Sequence, residues 1–244
     1  MIEDAAIVLL GSMAGGFVSG LAGFGTGLVA LGIWLHAINP KLAATLVVVC
    51  SVVAQMQTIR TVWHAVDRAR VGPFILGGVA GVPLGAVLVA YLAPDAFRLA
   101  VGVLLVGFSS FMLWGQPRRR LAWGGRLADT AIGFGGGVMG GLAGLSGPLP
   151  IIWATLRAWS RDERRGVFQA YNLAVLCAAL VAHAAAGLLT AELLRLVLIA
   201  LPGTFAGAFL GARLYRRLSD RRFDQLVLSL LALSGVILVW TSVR

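Results

Sequence analysis

Residues 16–29 read GFVSGLAGFGTGLV, and residues 137–150 read GVMGGLAGLSGPLP. At an offset of 121, Gly16, Gly20, Leu21, Ala22, Gly23 and Leu28 fall on Gly137, Gly141, Leu142, Ala143, Gly144 and Leu149, six identities in fourteen. Each segment lies inside an apolar run that is too long for one crossing. Residues 5–35 would form a straight helix of about 46 Å at about 1.5 Å per residue, whereas a hydrocarbon core is roughly 30 Å thick. Residues 128–156 carry a similar excess. Clustered glycine, with Pro148 and Pro150 in the second segment, breaks helices. Both runs are therefore expected to fold as glycine-broken hairpins.

The rest of the chain fits a bilayer. Of 244 residues, 59% are hydrophobic and 12% are charged, against about 45–50% and about 25% in soluble domains. Mean hydropathy is +0.91. So few charges cannot cover a water-facing surface, which excludes an ordinary soluble enzyme, a disordered chain and a disulfide scaffold. Further apolar runs occupy 42–59, 71–92, 96–114, 167–189, 193–212 and 223–241, most of them near the roughly 20 residues that span as a helix. Cys50 and Cys177 lie inside such runs and read as packed thiols. The opening Met1-Ile2-Glu3-Asp4 lacks the basic start of a signal peptide.

A second block extends the repeat. Residues 77–86 match 203–212 at an offset of 126, with Gly77, Ala80, Gly81, Leu84, Gly85 and Ala86 repeated. The chain therefore reads as a first transmembrane repeat over 1–115, a basic cytoplasmic linker over 116–126 and a second repeat over 127–244. The glycines spaced by four, Gly77/Gly81/Gly85 and Gly203/Gly207/Gly211, mark close-packing helix faces. Gly16 and Gly20 read equally well as packing positions.

Charge selects the topology. Eight plain crossings divide the 20 basic residues nine against eleven, which carries no orientation signal. If each long run enters and leaves on one side, Lys41, Arg98, Arg195 and Arg244 share a face, and the other sixteen basic residues share the opposite one. The positive-inside rule favours that arrangement. The net charge of +10 then reads as an orientation signal rather than a nucleic-acid footprint. The expected fold is an all-α polytopic membrane protein with two inverted repeats, each a glycine-broken re-entrant hairpin plus three transmembrane helices. Both termini are expected outside the cytoplasm.

Irregular backbone at membrane depth must be buried in protein or line a cavity. The half-helix N-termini beyond the breaks offer unpaired N–H groups and partial positive charge, which suit an anion. Candidate substrate-binding residues are therefore Gly23, Gly25, Thr26 and Gly27 with Gly144, Ser146, Gly147 and Pro148. Gln55 and Asn172 are polar residues inside spans that would face the same place. His183, also intramembrane, is the candidate for a coupling proton. No Walker A sequence, HExxH or cysteine metal spacing is present, so neither a cofactor nor a metal is expected.

The two halves each carry a G-L-A-G-x-[GS]-x-[GP] segment followed by a glycine-spaced helix, and Asn39-Pro40 precedes Ala43-Ala44-Thr45. In these features the chain resembles the sulfite exporter family of membrane permeases, TauE/SafE, also called the toluene sulfonate uptake permease family. Two positions depart from the pattern: Leu46 stands where a serine is usual, and Arg164-Arg165-Gly166-Val167-Phe168-Gln169 replaces a Gly-Thr-Ser stretch. The resemblance implies a permease in the bacterial cytoplasmic membrane, moving sulfite, sulfoacetate, another organosulfonate or thiosulfate by alternating access. It leaves open the coupling ion, proton or sodium, and self-association into a homo-oligomer. Two other readings compete: an anion channel, and a rhomboid-like serine protease using Ser146 of Gly144-Leu145-Ser146-Gly147 with His183. Ser146 occupies the repeat position of Gly25, so the duplication already accounts for that motif.

Overall fold

The computed structural model describes residues 2–59, 66–91, 93–113, 124–157, 159, 161–214 and 220–243. The basic linker expected over 116–126 lies outside the described residues up to position 123. Described regular structure is entirely helical: α1 (Ile2–Ala22), α2 (Thr26–Trp34), α3 (Pro40–Thr58), α4 (Arg68–Tyr91), α5 (Pro94–Leu113), α6 (Arg126–Ala143), α7 (Pro148–Leu156), α8 (Arg161–Ala185), α9 (Ala191–Leu214) and α10 (Asp220–Val243). Among the described residues, six helices have the length and apolarity to cross a membrane: segments of α1, α3, α4, α5, α8 and α9. Leu76 and Leu198, each 73% exposed on outer faces of α4 and α9, are the surface expected against lipid rather than water.

The helix ends follow from local chemistry. Asn39 caps α3 by accepting the Lys41 N–H at 2.9 Å, and Pro40 takes the first helical position. Gly144 ends α6 in the left-handed region, φ 67°, with its N–H on Gly140 O at 2.8 Å. Gly25 opens α2 at φ 100°, a conformation that strains any residue with a Cβ.

Both long runs double back. Gly15 of α1 abuts Thr26 and Ala30 of α2, and the Trp34 indole donates Nε1–H to Val8 O at 3.1 Å. In the second hairpin the Trp153 indole donates to Asp129 Oδ1 at 2.8 Å, and Arg157 Nη1 lies 3.0 Å from the same oxygen. Val8 and Asp129 are themselves 121 apart. Each short arm is thus stapled by a tryptophan to an equivalent position of the long arm, once to a carbonyl and once to a carboxylate. The breaks are off-centre, leaving arms of 21 and 9 residues in the first hairpin and 18 and 9 in the second. Their placement follows the left-handed glycines rather than the midpoints of the runs.

The glycine ladders bring backbones together. Gly77, Gly81 and Gly85 of α4 face the carbonyls of Thr130, Phe134 and Val138 on α6, and Gly133, Gly137 and Gly141 of α6 face those of Phe74, Gly78 and Val82. The numbers rise together, so α4 and α6 run parallel. The same holds for α1 and α9, where Gly207 and Gly211 face Met13 O and Phe17 O. Gly102 of α5 faces Gly235 and Val239 of α10, and Gly235 faces Leu105 and Val106, an antiparallel register. The packing exchanges the halves: α1 lies on α9 as α6 lies on α4, and α3 lies on α9 as α8 lies on α4.

Candidate functional site

The two breaks meet. One buried cavity is lined from the first by Phe24, Gly25, Thr26, Gly27 and Leu28 and from the second by Gly144, Leu145, Ser146, Gly147 and Pro148. Ser51 and Gln55 of α3 and Asn172 and Leu176 of α8 complete it. Nine of the expected binding residues therefore share one cavity wall. Gly23 sits just behind it, where its carbonyl accepts the Gln55 Nε2–H at 2.9 Å. His183 is elsewhere, with Nδ1 3.1 Å from Thr45 Oγ1 and Nε2 2.6 Å from Gly141 O.

Backbone donors come chiefly from α2. Its first backbone bond is Val29 N–H to Gly25 O, 3.1 Å, so the N–H groups of Thr26, Gly27 and Leu28 have no carbonyl within the helix. In α7 the Ile151 N–H reaches Gly147 O at 3.1 Å, while Pro148 and Pro150 have no N–H to offer. The second half-helix thus contributes its dipole more than its donors. Each N-terminus carries roughly half a positive charge.

The polar side chains are buried yet incompletely used. Thr26, Ser51, Gln55, Ser146 and Asn172 are all at most 3% exposed. Thr26 Oγ1, Ser51 Oγ and Gln55 Oε1 have no hydrogen-bond partner. Ser146 donates to Asn172 Oδ1 at 2.8 Å. A buried unpaired hydroxyl or amide costs about 1–3 kcal/mol, so three of them around one cavity mark a place prepared for a polar guest. The free space for water centres is about 20 Å³, where one water needs roughly 10–15 Å³. An oxyanion needs the walls to part.

Ser51 was not singled out among the hydroxyls of its run, although a signal for it existed. The offset of 121 that relates the breaks also carries Ser51 onto Asn172 and Gln55 onto Leu176, all four of which line the cavity. Gln169 lies just outside, against Gly23, with both amide atoms unpartnered. The Ser146–His183 dyad of the protease reading does not form, because Ser146 is bonded to Asn172 and both ring nitrogens of His183 are engaged by Thr45 and Gly141.

A family model described as sulfite exporter TauE/SafE matches residues 7–238. No curated protein and no solved structure matches the chain.

Proposed function

The chain belongs to the sulfite exporter TauE/SafE family, and from that premise we propose that it is a secondary transporter carrying a small sulfur oxyanion or organosulfonate through the cavity between its two broken helices. The observation that carries this reading is the convergence of α2 and α7 N-termini with the unpartnered hydroxyls of Thr26 and Ser51 on one buried space. No charged side chain lines that space. Recognition then rests on N–H and O–H donors and helix dipoles, which suits a hydrogen-bond-accepting anion.

Alternating access is favoured over an open channel because most of the lining is buried and the free space is near that of one water. In this reading the chain is built of inverted repeats: parallel α4/α6 and α1/α9 contacts, with antiparallel α5/α10, support it. A membrane-inserted protein with both termini outside the cytoplasm follows from the four-to-sixteen division of basic residues. A topology reporter fused within residues 36–41 is expected to read as extracytoplasmic, and a cytoplasmic signal there would overturn the hairpin topology.

The functional test is a thermal-shift panel on the purified protein with sulfite, thiosulfate, sulfoacetate, taurine, sulfate and chloride, followed by uptake in proteoliposomes. A ligand at a hundredfold excess over its dissociation constant adds about 2.7 kcal/mol of apparent stability. Selective stabilisation by a sulfur anion, and its uptake, is the expected result. Stabilisation by chloride alone would contradict the proposal.

A further inference from the structure

We infer that His183 is a proton-binding site coupled to the anion cavity through the break between α6 and α7. The inference rests on the anion reading above and supplies its coupling ion.

The hydrogen bonds at His183 distinguish its two protonation states. Its side chain is fully buried. Nε2 lies 2.6 Å from Gly141 O, and a carbonyl only accepts, so Nε2 carries a hydrogen. Nδ1 lies 3.1 Å from Thr45 Oγ1, while that hydroxyl lies 3.0 Å from Lys41 O, again an acceptor. Thr45 has one hydrogen. If it goes to Lys41 O, Nδ1 must donate, and the ring is an imidazolium. If the ring is neutral with its hydrogen on Nε2, Thr45 must turn from Lys41 O to Nδ1. All three contacts are made together only by the protonated ring; the neutral ring gives up the Thr45 hydroxyl's contact with Lys41 O, a carbonyl that α3 already supplies with a backbone N–H.

The carbonyl it holds has a particular place. In a continued helix Leu145 N–H would bond Gly141 O, but Leu145 donates to Met139 O at 3.2 Å and Gly144 donates to Gly140 O. Gly141 O is thus an unclaimed carbonyl at the negative end of α6, where a cation is favoured. Gly144, three residues and about 4.5 Å further along the axis, lines the anion cavity. The N-terminus of α7 follows at Pro148. One broken helix offers its C-terminal end to a proton and the next half-helix offers its N-terminal end to an anion. Opposite charges on either side of one break favour one another, and the favour is reciprocal.

The surroundings leave the proton to these contacts. On α3 the titratable groups are Lys41, exposed, and Cys50, turned to Thr204 of α9. On α4 they are Arg68 and Arg70, near the opposite end, and exposed Tyr91. On α6 they are Arg126 and Asp129, at least twelve residues or about 18 Å from Gly141. On α8 itself, Tyr171 stands about 18 Å away by the same rise and Cys177 is exposed. The charged first turn, 161–165, lies further still, and α7 has no titratable side chain.

The test is calorimetric titration of the full-length purified protein with thiosulfate, which stays fully ionised from about pH 5 to about pH 8, in buffers of different protonation heat. Toward the alkaline end of that range, where the ring of the free protein is neutral, wild-type protein is expected to take up close to one proton per thiosulfate, with affinity weakening up to about tenfold per pH unit. His183→Gln, whose amide can still donate to Gly141 O, is expected to bind weakly with no proton uptake and a flat pH profile. Thr45→Val removes the Nδ1 acceptor and is expected to move the wild-type profile to lower pH. If His183→Gln does not fold, the wild-type proton count and Thr45→Val decide. Thiosulfate binding without proton uptake at any pH in that range overturns the inference and leaves the anion site standing. Binding of no sulfur anion at any pH brings down the transport reading, and the inference with it.

Discussion

Leucine in place of Gly147 is expected to abolish anion transport, by at least about a hundredfold, while the protein still inserts and folds. Gly147 has φ −75° and ψ −41°, an ordinary helical backbone open to any residue. A Cβ there meets Ile151 Cδ1 at 3.4 Å and Phe24 Cδ2 at 3.5 Å, ordinary contact distances. Backbone strain is therefore small, and the cost falls on the cavity. The remaining three carbons of leucine have to enter a space with about 20 Å³ free or displace Phe24. Either outcome removes the place where α7 and α2 aim at a common guest. Loss of about 2.8 kcal/mol of binding corresponds to a hundredfold, and outright exclusion exceeds it. Gly147→Ala should be much milder. Gly25 is a poorer probe, since its φ of 100° makes any substitution strained, and a failure there would confound folding with function. Proteoliposome uptake, with size-exclusion behaviour as the folding control, reads the result. Wild-type uptake by a folded Gly147→Leu protein would place the site elsewhere.

The hairpins, the close-packing ladders and most of the cavity wall were legible in the sequence because each depends on local chemistry. Glycine clusters break helices wherever they occur, and a spacing of four marks one helix face regardless of the partner. The repeat offset then brought Gly25 and Ser146 to equivalent positions, and the structure puts both on the cavity. What escaped depends on which face of a helix turns inward. Ser51, Gln55 and Gln57 lie within two turns of α3, yet only Ser51 and Gln55 reach the cavity. A run that is apolar all round carries no periodic cue to separate them. The tryptophan staples escaped for another reason: Trp34 and Trp153 read as apolar bulk, and their N–H partners lie 26 and 24 residues away. The link from Thr45 to His183 spans 138 residues, so only the assembled fold brings the pair together.

Alanine at Gly81 of α4 and alanine at Gly107 of α5 are expected to act with opposite signs. A Cβ at Gly107 meets nothing within 4 Å. There the substitution only reduces the freedom of the unfolded chain and improves helix propensity, a gain of about 0.4–1 kcal/mol. A Cβ at Gly81 runs into the backbone carbonyl of Phe134 and comes within 3.0 Å of Val138 N. Neither is the end of a flexible side chain, so α4 and α6 must separate along their length. Separation loosens the reciprocal contacts of Gly133, Gly137 and Gly141 together, because all belong to one parallel seam. Overpacking of this kind costs about 1–3 kcal/mol and occasionally more, and valine at Gly81 should exceed alanine. In lipid the seam has no hydrophobic driving force to fall back on, since dispersion contacts at close approach are what hold it. The loss should also reach function, because α6 carries Gly141 and Gly144 at its far end. Thermal unfolding of purified Gly107→Ala and Gly81→Ala proteins measures both signs at once. Equal stability of the two would contradict the tight seam between α4 and α6.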